Sequence, residues 1–325
     1  MRFFRIAMIL AAVAICGGAW AGDYPNRPVT IVIPYGPGGA TDIIGRVLAD
    51  QLGQKFGQNF IIVNKNGAFG ILAMQELLRN KADGYTLMMG NVSTNAITPV
   101  LFASKMSFAY DASIRPITEL AEIPGVLVTT TVNFAPRTLA EMLAYAKANP
   151  GKLRYASPGI GSYPQFDTEL FSQAAGVRML HVPLKGGAAD VVNSLATGDT
   201  QLSFVNVATA EGMVQAGRLT PLALISDHPL AQYPGVPTMA QAGYSGIGTM
   251  QWQAIFARVG TPQPIIDTLF KAITEVMSSE QTKHAFSANG IEPMLSASPD
   301  AATGWQQAQE RKWQGIVAET HISLE

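Results

Sequence analysis

One pattern constrains this chain more than any other: a short apolar run, a glycine-rich turn and an amphipathic helix, in that order and repeated. Val29-Thr30-Ile31-Val32-Ile33 is nearly continuous in apolar residues and is ended by Pro34, as expected of a strand buried on both faces of a parallel sheet. The turn Tyr35-Gly36-Pro37-Gly38-Gly39 follows, and from Asp42 onward Ile43, Ile44, Val47, Leu48 and Leu52 fall on one helix face. The alternation continues with a strand over 60–63, a loop over 64–70, a helix over 72–79 and a strand over 85–89. Such a series predicts an α/β sheet with right-handed crossovers.

A second series begins beyond Pro124. It predicts strands over 126–130, 153–156, 179–182, 201–205 and 222–225, with helices over 139–147, 166–175 and 189–196. Asn149-Pro150-Gly151 stops the first of these helices, and a second glycine loop, 157–162, precedes the next. After the turn-rich Tyr233-Pro234-Gly235-Val236-Pro237, residues 250–257 form a strand that returns the chain, and helices over 264–277 and 305–317 pack back onto the first lobe. A chain of about 300 residues exceeds what one core organises. The expected lobes are 24–123 plus 249–325, and 124–248.

The N-terminus is a secretory leader: Arg2 and Arg5, an apolar stretch from Ile6 to Ile15, then Ala19-Trp20-Ala21, with cleavage expected after Ala21 and residues 1–21 removed. The stretch is too short to span a bilayer. Cys16, the only cysteine, follows Ile15 where a lipid-attachment signal wants a small residue, so export as a soluble protein is expected rather than a lipid anchor. Loss of Arg2 and Arg5 from 22 basic residues leaves 20 against 23 acidic ones, a charge of −3 that offers nothing to nucleic acid or an anionic membrane. With charged residues at 14% against about 25% in ordinary globular chains, much of the surface must be buried.

The two glycine loops each follow a strand and precede a helix, one per lobe. Ligands of open α/β sheets bind beyond the carboxyl ends of strands, where helix N-termini offer unpaired N–H groups and a positive dipole. Glycines let those groups approach an anion closely, so the two loops can grip one from both sides, or be tight turns only. Neither loop has the Gly-Lys-Ser/Thr ending of a phosphate loop. Asp42 caps its helix and orders the loop, or meets a ligand hydroxyl or amine. No nucleophile elbow, no metal-binding His pair and no usable thiol is present, so neither catalysis nor a metal or cofactor is expected. His181 is expected to be a packed, hydrogen-bonded residue, and Lys185 lies on a turn where it can favour an anion or be solvated.

The chain resembles the extracytoplasmic receptors of tripartite tricarboxylate transporters, the Bug-type solute-binding proteins. The resemblance is carried by Tyr24-Pro25 with Arg27-Pro28, Pro34 to Gly39 with Asp42, Asp83-Gly84-Tyr85-Thr86-Leu87, and Asn149-Pro150-Gly151-Lys152-Leu153 with Tyr155-Ala156-Ser157. His181-Val182-Pro183 with Lys185-Gly186, Val236-Pro237-Thr238 with Gly243, and Trp252 with Gly260-Thr261-Pro262 complete it. It implies a periplasmic-binding-protein-like (type II) Venus flytrap in the periplasm: two α/β lobes joined by crossover strands at a hinge. It implies capture of a small carboxylate by a monomer for a membrane permease. A ligand-sensing adaptor for a membrane kinase is the alternative, and a periplasmic enzyme using Asp42 or His181 as a base is a more distant one. Carried onto this sequence, the ligand-binding set is Tyr35, Gly38, Gly39, Thr41 and Asp42, then Ser157, Gly159, Gly161 and Ser162, with Thr94 and Asn206 near the cleft. Departures from the family pattern are Phe69 in Gly67-Ala68-Phe69-Gly70, Gln165 after Tyr163-Pro164, Asn95 and Val205. They point to a less ionic, more aromatic cleft, with an aromatic carboxylate stacked on Phe69 or Tyr163; a short aliphatic dicarboxylate or citrate-like acid is the alternative.

Overall fold

A computed structural model of the protein describes residues 24–287 and 290–320; the leader, Cys16 and the expected cleavage after Ala21 lie outside the described residues. The first half of the chain forms β1 (Val29–Ile33), α1 (Ala40–Phe56), β2 (Phe60–Asn64), α2 (Ile71–Arg79), β3 (Thr86–Asn91), β4 (Ile114–Ile123), β5 (Gly125–Thr130), α3 (Leu139–Ala148), β6 (Arg154–Ser157) and α4 (Tyr163–Ala175). There follow β7 (Leu180–Pro183), α5 (Ala188–Thr197), β8 (Leu202–Asn206), α6 (Val207–Gln215), β9 (Leu219–Ile225), β10 (Gln251–Arg258), α7 (Gln263–Met277), α8 (Glu280–Ser287), β11 (Glu292–Pro293) and α9 (Pro299–Thr320).

These strands make two sheets, in the orders β11-β4-β10-β3-β1-β2 and β7-β6-β8-β5-β9. In each, a parallel group built from strand-loop-helix units meets antiparallel strands: β1 is parallel to β2 and β3, while β10 runs antiparallel between β3 and β4. In the second sheet β6 is parallel to β7 and β8, and β5 is antiparallel to β8 and β9. The chain passes from one sheet to the other at Pro124, between β4 and β5, and returns through residues 226–250 into β10. Both sheets are therefore mixed, and the antiparallel strands are the ones that flank the crossings.

The helices cover the sheets because their apolar stripes have nowhere else to go. Ile44, Leu48 and Leu52 of α1 share one buried cluster with Ile265, Ile266 and Leu269 of α7. Each such side chain contributes about 1.5–3 kcal/mol on burial, so this helix pair is a main tie between the C-terminal segment and the first sheet. The last helix does not stay with that sheet alone: Trp313 meets Phe166 of α4 edge-on, with ring centroids 5.4 Å apart.

Two strands carry a proline, which hides β4 and the start of β9 in the sequence. Pro116 of β4 pairs with Phe256 beside a register shift between Ile255 and Phe256, and Pro221 of β9 pairs with Val128 beside a shift between Leu127 and Val128. The lost N–H is absorbed at an irregularity, with Pro221 on an edge strand and β11 pairing β4 only at Ala121 and Glu122.

Candidate functional site

Three helices begin at one cleft. Gly39 caps α1, Ser162 caps α4 and Gly187 caps α5, none with a side-chain hydrogen bond. Ser162 does not cap because its Oγ donates to the carbonyl of Gly159 at 2.7 Å. First-turn N–H groups and the positive ends of three helix dipoles are thus directed to a common space. The glycine loops after β1 and β6 both border it, together with a third turn, Gly186-Gly187, whose proximity shows at Gly36: a Cβ there would lie 3.1 Å from the Gly186 carbonyl oxygen.

The inner end of the cleft is a recess of about 30 Å³, room for roughly two water-sized atoms. Gly39, Ala40 and Thr41 line it from one sheet, and Tyr163, Pro164, Ala188 and Asn206 from the other. The Tyr35 hydroxyl donates to Asn91 Oδ1 at 2.9 Å, the same oxygen that accepts from the Ser93 N–H at 3.0 Å. Burial pushes the Tyr35 hydroxyl up to about 12, so it remains a neutral donor. Across the cleft the Tyr163 N–H donates to Ser93 Oγ at 3.1 Å, and Asn206 Nδ2 donates to Gln251 Oε1 at 3.0 Å. Among the described residues, every side chain lining this recess is uncharged.

Outward from Tyr35, Ser93 and Pro158 the cleft opens into a cavity of about 540 Å³, within the size range of small-molecule sites. Phe69, Thr94 and Thr98 line one wall and Gly159 to Ser162 the other; Lys185 is its one charged residue among the described residues. Asn66 Nδ2 donates to the Lys185 carbonyl across the mouth.

The structure brings most of the sequence-derived set together. Tyr35, Gly39, Thr41, Tyr163 and Asn206 line the recess, and Tyr35, Phe69, Thr94, Gly159, Gly161 and Ser162 line the outer cavity. Gly38, Asp42 and Ser157 do not line either space. The helix starts at Ala40, so Asp42 lies in its first turn, where its carboxylate accepts from Gly38 N at 3.1 Å, Asn64 Nδ2 at 3.0 Å and Arg46 Nε at 2.9 Å. Burial opposes its ionisation, but these bonds outweigh it and hold the carboxyl below the usual range. Asn64 also donates to the Tyr35 carbonyl at 2.9 Å, so Asp42 and Asn64 together fix the loop from behind. Ser157 Oγ likewise donates to the carbonyl of Gly159, at 3.0 Å, and Gln165 Oε1 accepts from Gly161 N at 2.7 Å. Asn95 turns into the core, bonding the Tyr110 hydroxyl at 2.8 Å.

Asn91, Ser93, Pro158 and Gln251 line the recess without having been singled out from the sequence. The first two were within reach, since polar residues directly at the carboxyl end of a buried strand mark the site in open sheets. Gln251 opens β10, far away in sequence, and carries no local signal.

A base is not poised in this cleft. His181 lies off both cavities, bonded to Ser157 Oγ at 2.6 Å and stacked on Tyr155 with centroids 4.8 Å apart. Burial pushes its imidazole down to about 4.

Comparison with known proteins gives this geometry its class. The model of the tripartite tricarboxylate transporter family receptor matches residues 44–322. The chain belongs to that receptor family. The receptor is 31% identical to protein BugT of Bordetella pertussis over 319 residues, which is 98% of this chain and 97% of that one. An R. palustris protein solved with adipate is 29% identical and superposes at a TM-score of 0.86, covering 93% of this chain and 99% of the other. MatC of Rhodopseudomonas palustris, solved with bound malate, is 26% identical at a TM-score of 0.82, covering 90% and 100%. The two sheets are accordingly the lobes of a bilobed, periplasmic-binding-protein-like fold joined by crossover strands, and the receptor is a periplasmic solute-binding protein rather than an enzyme.

Proposed function

We propose that this receptor captures a small carboxylate between its two lobes, 24–123 plus 249–325 and 124–248, and delivers it as a monomer to the membrane permease of a tripartite tricarboxylate transporter. The observation that carries the reading is the convergence of three helix N-termini without side-chain caps on a recess whose lining has no charged side chain. Such a recess suits a carboxylate held by backbone N–H groups, each charge-assisted bond contributing about 1.5–3 kcal/mol. The relatives solved with adipate and malate are carboxylate-bound, which supports the same class.

In this account Gly39, Ala40 and Thr41 supply the first jaw, and the turn Gly159 to Ser162 with Tyr163 the second. Tyr35, Asn91 and Ser93 form the floor. Gly38, Asp42 and Ser157 act from behind by holding the loops in shape. Contacts made to both jaws favour the closed form, because only contacts that the open form lacks can shift that balance.

A thermal-shift screen of aliphatic, hydroxylated and aromatic carboxylates tests the class. At least one acid should raise the melting temperature saturably, by the equivalent of about 2.7 kcal/mol at a hundredfold excess over Kd, and its neutral amide should not. A screen in which no acid shifts the transition would overturn the carboxylate assignment.

A further inference from the structure

Residues 67–70 hold an unusual backbone. Gly67, Ala68, Phe69 and Gly70 all have positive φ, at 132°, 46°, 59° and 89°. For glycine this is free, but a bulky residue there is an outlier that persists only where its surroundings hold it. Here they do. Thr98 Oγ1 donates to the Phe69 carbonyl at 2.8 Å, and the Phe69 ring lies flat on Phe102, with centroids 4.0 Å apart and planes 7° from parallel.

The consequence is a ring placed in the cleft with one face free. Phe102 is buried and is not part of the cavity wall, whereas Phe69 lines the outer cavity and is 39% exposed. Phe102 is itself fixed by the opposing lobe: a Cβ on Gly161 would lie 2.8 Å from its ring, so the second glycine loop packs directly against it. The platform is therefore assembled from both lobes and is continuous with the cavity that opens from Tyr35, Ser93 and Pro158. The rest of that cavity is mainly apolar or neutral, with Pro34, Ile160 and Leu184 in its wall and Lys185 exposed at its rim.

Resting on the carboxylate proposal, we infer that Phe69 is the specificity-determining residue of this receptor, and that the ligand is an aromatic carboxylate whose ring stacks on the free face of Phe69. The acid group would sit at the inner recess and the ring in the outer cavity. Offset stacking of two rings suits this arrangement, since the first ring is already fixed against Phe102 and loses little freedom on binding. An exposed Lys185 is too well solvated to select a second carboxylate by itself.

Titration calorimetry with benzoate, phenylacetate, succinate and adipate on the wild-type protein, F69Y, F69L and F69G tests this. The expected result is that an aryl acid binds at least tenfold more tightly than the aliphatic diacids. F69Y should keep that preference, and F69L and F69G should lose it at least tenfold. Diacids binding while aryl acids do not, or an aryl preference that survives in both F69L and F69G, would overturn the assignment of Phe69 and leave the carboxylate reading in place. Failure of all four acids to bind wild-type protein, together with a blank carboxylate screen, would overturn both.

Discussion

Asp42 shows how a residue outside the proposed binding surface can decide its shape. Its two oxygens accept from Gly38, Asn64 and Arg46, which closes the first glycine loop onto its helix. The Arg46 side chain is 54% exposed, so the ion pair itself adds little; the bonds to Gly38 and Asn64 carry the effect. Asp42→Ala should lower the free energy of unfolding by about 1–2 kcal/mol and weaken ligand binding with it, measured by denaturant titration and calorimetry. Loss of stability with unchanged affinity would mean that the loop keeps its form without the carboxylate. The glycines of this loop were legible in the sequence because their spacing after a buried strand has a mechanism. Asn64 and Gln251 were not, because their roles depend on neighbours 22 and 45 positions away.

Between elements, the tie that joins α4 to the segment entering β10 is a buried acid. Asp167 accepts from Thr249 N at 3.0 Å and Thr249 Oγ1 at 2.7 Å, just before the strand that crosses to the other sheet. Burial pushes its carboxyl up to about 7, against the opposing effects of the Thr249 bonds and the charge of Lys312, while Tyr163 lies one turn away on the same helix. The folded protein then binds more protons than the unfolded chain between about pH 4 and 7, so this residue's contribution to stability is full below pH 4 and is lost as pH rises through 7. Asp167→Asn, which keeps an acceptor for the Thr249 N–H, should flatten that part of the profile in denaturant titrations at pH 5 and 7.5. An unchanged slope would remove Asp167 as its source. At this scale the strand-loop-helix units were legible from apolar periodicity and glycine placement. Strand β4 and the first residues of β9 were obscured by Pro116 and Pro221, whose cost is met by register shifts that only a folded sheet reveals.

For the molecule as a whole, the proposed capture makes closure and recognition one event. The lobes meet through Tyr163 N–H on Ser93 Oγ and Asn66 on Lys185, and the recess they enclose is bounded by backbone rather than by charge. A ligand that bonds both jaws stabilises this form in proportion to the contacts it gains there. The most direct test is calorimetric titration of one carboxylate that stabilises the receptor, and of its neutral amide, against wild-type protein and Gly39→Val. Valine fits the backbone at this position, where φ is −85° and the nearest atom to an added Cβ is Ala188 Cβ at 3.8 Å, but its methyl groups would occupy the recess. The account predicts that wild-type protein binds the acid and not the amide, and that Gly39→Val unfolds normally yet binds the acid at least tenfold more weakly. Equal binding of acid and amide, or normal affinity in Gly39→Val, would contradict it.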